Sequence, residues 1–321
     1  MKKQVEQILN WNNEQEIEFI KRSIGNEEIV GLLSQKKMKK SEKVNYLLLN
    51  NGKDNFHYQY HTSIIKSIIE HIFYKNKKKC PDFVFFKNIH DKIFKAIKKP
   101  DLTDLSDEMI MELIEKLHFD YLNSEYILQN DNILKNKSKI NLQEKGAVYT
   151  PAKIVEEIVI NTFSELPGKI DDELAVLDFG SGTGRFYFSA LRYLERNTKK
   201  SKKKIILENL FAIDSDPVAI AILMVKAGIE AKDLSEENFG KLSRRIICKN
   251  MLYVDENNTD GINYSQTFKS VFKKDGFDVI LSNPPYFVLK ATGDKSKIKK
   301  IYDDQKEFIS KESEYFRKNK F

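Results

Sequence analysis

The stretch Leu177–Phe186, "LDFGSGTGRF", decides the reading of the fold. An apolar segment ends at Asp178 and Phe179, and three alternating glycines, Gly180, Gly182 and Gly184, precede an amphipathic run from Arg185 to Arg196. Glycine adopts backbone conformations that other residues resist and lets a ligand approach the main chain, so strand, glycine turn and helix in succession predict a ligand-binding turn. A dinucleotide fingerprint, G-x-G-x-x-G, would put its last glycine where this chain has Arg185. The pattern is G-x-G-x-G instead.

Outward from this turn the same rhythm repeats. "LAVLDF" (174–179), "LFAID" (210–214), "RIIC" (245–248) and "FDVILS" (277–282) read as short strands, alternating with helices such as Arg185–Arg196 and Pro217–Ala227. That alternation predicts an open α/β sheet of Rossmann-like type, whose ligands bind at the carboxyl ends of the strands. Upstream, from Val5 to about Leu134, apolar residues recur at helical spacing, with Ile64, Ile65, Ile68, Ile69, Ile72 and Phe73 in one stripe and Met109, Leu113, Ile114 and Leu117 in another. Breaks at Asn51-Gly52, Cys80-Pro81 and Lys99-Pro100 separate the helices. The expected division is an all-helical domain over 1–140 and a catalytic α/β domain over 141–321.

Composition bounds the functional class. At 321 residues, 41% hydrophobic and 31% charged, the chain can bury a sizeable core. Gln4–Glu18 is too polar for a signal peptide and the longest apolar run, Val218–Val225, is far short of a membrane span, so a cytoplasmic location is expected. Cys80 and Cys248 lie far apart with no C-x-x-C or histidine cluster nearby, which argues against a disulfide framework or zinc site and for ordinary buried thiols, and no metal is expected. A net charge of +7 suits a polyanionic partner, although the richness in Lys, Asn and Ile follows equally from A/T-rich codon usage. The runs "KNKKK" (75–79) and "KNTKKSKKK" (196–204) read as solvated loops.

Two strand ends carry chemistry. Asp214 closes "LFAID", where a carboxylate accepts hydrogen bonds from both hydroxyls of a ribose, while Ser215 or Asp216 supplies the N-cap before Pro217. After "FDVILS" come Asn283, Pro284, Pro285 and Tyr286. Two prolines make a stiff turn with a main-chain carbonyl left free, and the Asn283 side-chain oxygen stands beside it. Two acceptors converging on one point suit an exocyclic amino group on a planar ring. Tyr286 then stacks on that ring, as proteins hold a base taken out of a helix.

The acid and glycine turn resemble motif I of S-adenosylmethionine-dependent methyltransferases, and Asn-Pro-Pro-Tyr resembles motif IV of the amino-methyltransferases. Within that group the chain looks most like the N6-adenine-specific DNA methyltransferases of restriction-modification systems, because "KGAVYTPAKIVEEIV" (145–159) matches the segment that closes over the methionine part of the cofactor in those enzymes. Gly146, Tyr149, Thr150 and Pro151 fit it, with Val148 at the first aromatic place, and Thr150-Pro151 also reads as a helix start with Thr150 as N-cap and Pro151 first in the helix.

The resemblance spans roughly 145–290. It implies methyl transfer from S-adenosylmethionine to a flipped adenine in double-stranded DNA, with Asn283, Pro284, Pro285 and Tyr286 catalytic and Tyr149, Thr150, Pro151, Asp178, Gly180, Gly182, Gly184, Asp214 and Asn250 holding the cofactor. Asn250 stands where many relatives have an aspartate. The family fold needs three further strands and a target-recognition domain after the Asn-Pro-Pro-Tyr turn, and Phe287–Phe321 is too short for them. The expectation is therefore a sheet incomplete at its carboxyl end, the front part of a longer enzyme or a truncated reading frame, with further C-terminal domains or a specificity subunit as partners. Rival readings are a release-factor glutamine methyltransferase, which shares Asn-Pro-Pro-Tyr but lacks the Tyr-Thr-Pro segment, and a non-catalytic remnant. No D/E-x-K element of a nuclease occurs before Thr150.

Overall fold

In a computed structural model the described residues are 2–25, 55–129, 132–137, 150–166, 173–251, 262–274 and 276–283. Helices α1 (Lys2–Gly25), α2 (Phe56–Lys75), α3 (Asp91–Ala96) and α4 (Asp107–Leu122) make the amino-terminal layer. The two predicted stripes are its core: Ile64 to Phe73 on α2 and Met109 to Leu117 on α4 are buried. Asn55 caps α2 and Ser106 caps α4, each through its side-chain oxygen. The break at Asn51-Gly52 lies outside the described residues.

The layer is not wholly helical. Strands β1 (Ser124–Gln129) and β2 (Asn132–Lys137) form an antiparallel hairpin in which Gln129 pairs with Asn132. Helical spacing is lost after Leu122, and a two-residue connection suits a hairpin. Tyr126 and Ile133 turn into the core from it.

Helix α5 (Ala152–Ser164) leads to a parallel sheet ordered β5-β4-β3-β6, with β3 at Val176–Phe179, β4 at Leu210–Asp214, β5 at Ile246–Cys248 and β6 at Val279–Ser282. All four coincide with the predicted strands to within three residues. Their runs are apolar, as in a parallel sheet with helices on its faces, although Ile280 of β6 is 60% exposed. Val176, Ala212 and Leu281 face the large core shared with the helical layer, whereas Leu177, Phe211 and Ile213 face a smaller cluster with Phe268 and Val271.

Helices α6 (Arg185–Asn197), α7 (Lys202–Glu208), α8 (Pro217–Glu230) and α9 (Glu236–Leu242) flank the sheet, and two single turns, α10 (Tyr264–Thr267) and α11 (Lys269–Phe272), cover the small cluster. Helix α8 is apolar almost all round, which its position between sheet and helical layer requires. Phe239 of α9 packs on Phe73 and Phe83 at ring separations of 5.3 and 6.0 Å, so one core runs through both layers. The lysine run at 196–204 is not a simple loop. Ser201 caps α7 there, and Lys202 and Lys203 pair with Glu230 and Asp233, which anchors α7 to α8 and the turn that follows it.

Cys80 and Cys248 are free, half-buried thiols, pushed up to about 12 and about 11 by burial. No helix among the described residues is long and apolar enough to cross a membrane.

Candidate functional site

Strand order places the site. The chain runs outward from β3 to β4 to β5 and then returns to add β6 on the other side of β3, so the order reverses between β3 and β6. At such a switch point the connections leave in opposite directions and open a crevice at the carboxyl ends. The glycine turn follows β3 and Asn283 follows β6, on the two sides of that crevice.

All three glycines of the turn have positive φ: 78° at Gly180, 51° at Gly182 and 92° at Gly184. A Cβ on Gly184 would meet Phe188 at 2.9 Å and Leu223 at 3.0 Å, so that glycine also lets α6 pack closely. Gly182 differs, because a Cβ there would meet nothing within 4 Å among the described residues. Its face is open to them.

The turn folds back over the end of β4. The N–H groups of Gly180 and Ser181 donate to the Ile213 carbonyl at 3.0 and 3.1 Å, and the Gly182 N–H donates to Asp214 Oδ2 at 2.8 Å. Asp214 Oδ1 accepts the Asp216 N–H at 2.8 Å. One main-chain donor per oxygen leaves each with a further lone pair. Asp216 takes the N-cap of α8, accepting from Val218 and Ala219, so Asp214 is not consumed in that role. The Lys249 N–H donates to the Asp214 carbonyl at 2.9 Å and brings the loop after β5 to the same strand end, with Asn250 exposed upon it.

Asp178 lies beneath the turn, 1% exposed. Its Oδ2 accepts the Tyr187 N–H at 2.8 Å, while Oδ1 is buried with no partner among the described residues. Burial, with the Asp214 charge adding to it, raises the Asp178 carboxyl to about 7 against the pull of the Tyr187 bond. Asp214 is raised too, chiefly by burial. For Asp216 burial acts the same way, but His118 and the amides it caps outweigh it and hold that carboxyl below its ordinary value.

Across the crevice, Asn283 Nδ2 donates to Thr150 Oγ1 at 2.8 Å, joining residues 133 apart in sequence. Arg185 Nη1 donates to the Thr150 carbonyl at 2.7 Å. Thr150 is thus gripped from β6 and from the first residue of α6. This corrects the expected helix start: Pro151 is the N-cap of α5, Ala152 its first residue, and the Thr150 hydroxyl is turned to Asn283 instead of capping.

Of the predicted site residues, the structure gathers Thr150, Asp178, Gly180, Gly182, Gly184, Asp214 and Asn283 around the β3 and β6 ends, with Pro151 beside Thr150 and Asn250 at the β5 side. Tyr149, Pro284, Pro285 and Tyr286 lie outside the described residues. Sequence reading missed two neighbours. Arg185 was visible only as the residue that broke the dinucleotide pattern. Met251, whose Cε would stand 3.0 Å from a Cβ on Gly180, lies over the turn, and nothing in its local sequence announces it.

Comparison with known proteins bears on the second half of the site. No curated protein matches the chain. A cryo-EM structure of a DrdV–DNA complex aligns over 91% of this chain and 30% of that one, at 14% identity and a TM-score of 0.45, so the chain spans less than a third of that protein's length. Residues 208–319 match the Eco57I restriction-modification methylase family, and this segment, which holds Asp214 and Asn283, is similar to a restriction-modification methylase.

Proposed function

We propose that the protein is a DNA adenine N6-methyltransferase of a restriction-modification system, acting on the exocyclic amino group of an adenine flipped out of double-stranded DNA. The observation that carries this reading is the Asn283–Thr150 hydrogen bond beside the glycine turn, which ties the proposed acceptor and donor sides of one crevice together. The methylase family match over 208–319 supports the reaction class, and the net charge of +7 supports a nucleic-acid substrate.

The residues fit S-adenosylmethionine as methyl donor. Among the described residues, Asp178 keeps an unpartnered buried oxygen, Gly182 leaves open space above the turn, and Asp214 retains lone pairs for ribose hydroxyls. When bound, that cofactor supplies an electrophilic methyl sulfonium. Asn283 accepts a hydrogen bond from the target amine through its side-chain oxygen, which keeps the nitrogen lone pair available for attack. Thr150 holds the other end of the same amide and so fixes which atom is presented. The Pro284 and Pro285 turn stiffens the acceptor side, Tyr286 stacks on the flipped base, and Tyr149, Thr150 and Pro151 close over the methionine part.

The test is transfer of tritiated methyl from S-adenosylmethionine to mixed genomic DNA, followed by digestion to nucleosides. The label is expected in N6-methyladenine, with Asn283→Ala lowering the rate about 10²- to 10³-fold, the usual effect of removing one such contact, and cofactor affinity held nearly constant. Label on a glutamine of a protein substrate, and none on DNA, would contradict the assignment.

A further inference from the structure

One side chain crosses from the helical layer to the loop that carries Asp214. His118, on α4, is 2% exposed at its side chain, and its Nε2 stands 3.3 Å from Asp216 Oδ2. On its other side His118 Nδ1 is 3.2 Å from His61 Nε2, and the His61 ring stacks on Tyr121 with centroids 4.2 Å apart and planes 3° from parallel. One ring nitrogen of His118 is therefore engaged within the helical layer and the other faces Asp216.

Both the amide and the carboxylate of Asp216 are engaged. Its Oδ1 accepts from Val218 and Ala219 at 2.8 and 3.3 Å, its N–H donates to Asp214 Oδ1 at 2.8 Å, and Oδ2 faces His118. Asp214 Oδ2 in turn accepts the Gly182 N–H at 2.8 Å. A continuous line of polar contacts runs from His61 through His118, Asp216 and Asp214 to the glycine turn. Among the described residues, His118 is the only basic side chain within 4 Å of the Asp216 carboxylate.

We infer that His118 is a positioning residue for the ligand site: by holding the Asp216 carboxylate from the helical layer, it fixes the turn that presents Asp214. The Asp216 side chain is 32% exposed, so once His118 no longer holds it the carboxylate is free to turn towards water, where hydration replaces the lost contact. That movement draws the Asp216 N–H away from Asp214 and loosens the Asp214 bond to Gly182. The helical layer would then act on ligand affinity through a contact outside the crevice. The inference rests on the proposed cofactor reading for its ligand, but the contacts it concerns, the 3.3 Å approach of His118 to Asp216 and the hydrogen bonds at Asp214, exist in the free chain.

The experiment has two arms on the full chain. Hydrogen exchange at the Gly182 and Asp216 amides is measured without ligand, and the affinity for S-adenosylmethionine is measured by calorimetry. Three variants are compared. His118→Ala removes the contact, His118→Gln returns an N–H near the Nε2 position, and Asp216→Ser keeps an N-cap while removing the carboxylate.

Both amides are expected to exchange about tenfold faster in His118→Ala and Asp216→Ser, with the dissociation constant rising about tenfold, the loss typical of one hydrogen bond to a charged group. His118→Gln should restore both, and the affinity loss should vanish when His118→Ala is combined with Asp214→Ala, because the two act in series. Unchanged exchange at the two amides in both His118→Ala and Asp216→Ser would overturn the inference, as would an affinity loss that persists in full without Asp214. If the unaltered chain binds no S-adenosylmethionine the cofactor reading fails, and the exchange arm alone still decides the role of His118.

Discussion

Glu16 in the helical layer and Asp178 in the sheet are both almost wholly shielded, at 3% and 1% exposed, and burial raises both carboxyls above their ordinary values. Their surroundings differ. Lys135 Nζ stands 3.2 Å from Glu16 Oε2 and His57 Nε2 stands 3.3 Å from Oε1, and the lysine is further held by Asp120 and Asn13. Asp178 has one main-chain N–H, no cation among the described residues, and the charge of Asp214 nearby. A buried charge that the fold neutralises is structure. One that the fold leaves open costs stability, and such local violations of good packing are expected where a ligand completes the site.

The comparison breaks most visibly on the helical side. Lys135→Ala strands the Glu16 carboxylate, and losing one member of a buried pair typically costs about 3–5 kcal/mol. Denaturant unfolding should show that loss, while the chain that remains folded binds S-adenosylmethionine as before. A large affinity change would mean that the helical cluster belongs to the ligand site after all.

On the sheet side the balance should be reversed. Asp214→Ala removes two acceptors from the ribose position and should weaken cofactor binding by the equivalent of about 1.5–3 kcal/mol, the usual worth of hydrogen bonds to a charged group. Its stability change should be smaller than that of Lys135→Ala. Equal affinity in the variant would show that Asp214 serves the Gly182 and Asp216 amides alone.

The pH effect is the sharpest in sign. The folded Asp178 carboxyl, at about 7, lies above its ordinary value of 3.8. Between those values the folded chain keeps a proton that the unfolded chain has released, so this group's contribution is greatest below the ordinary value and falls as pH rises through the folded one. Asp178→Asn should flatten that fall. The unfolding free energies of the two chains, compared across the window, isolate this group from Asp233 and the other carboxylates that titrate alongside it. Parallel curves would show that Asp178 has no raised carboxyl.

Much of this was legible in the sequence. Apolar runs bounded by turn residues located all four sheet strands, because parallel strands flanked by helices are apolar nearly throughout. Three alternating glycines identified the turn, because positive φ at Gly180, Gly182 and Gly184 demands that residue type. What the chain could not announce depends on partners far away in sequence. The Thr150 hydroxyl looked like a cap until Asn283, 133 residues on, was found to claim it. Likewise the β1–β2 hairpin was hidden behind a helical stripe that stops short of it, and nothing in the local sequence singles out His118, whose partners His61 and Asp216 lie in other elements.

The central claim, that the open turn is the cofactor site, is tested most directly at Gly182. A Cβ there meets no atom of the described residues within 4 Å, and aspartate tolerates a φ of 51° better than most residues. Gly182→Asp should therefore fold, yet put a negative side chain into the space assigned to the methionine part of the ligand. Calorimetric titration of S-adenosylmethionine should show saturable binding to the unaltered chain and none to a folded Gly182→Asp variant. Equal affinity in the two chains, or no binding to the unaltered one, would contradict the account.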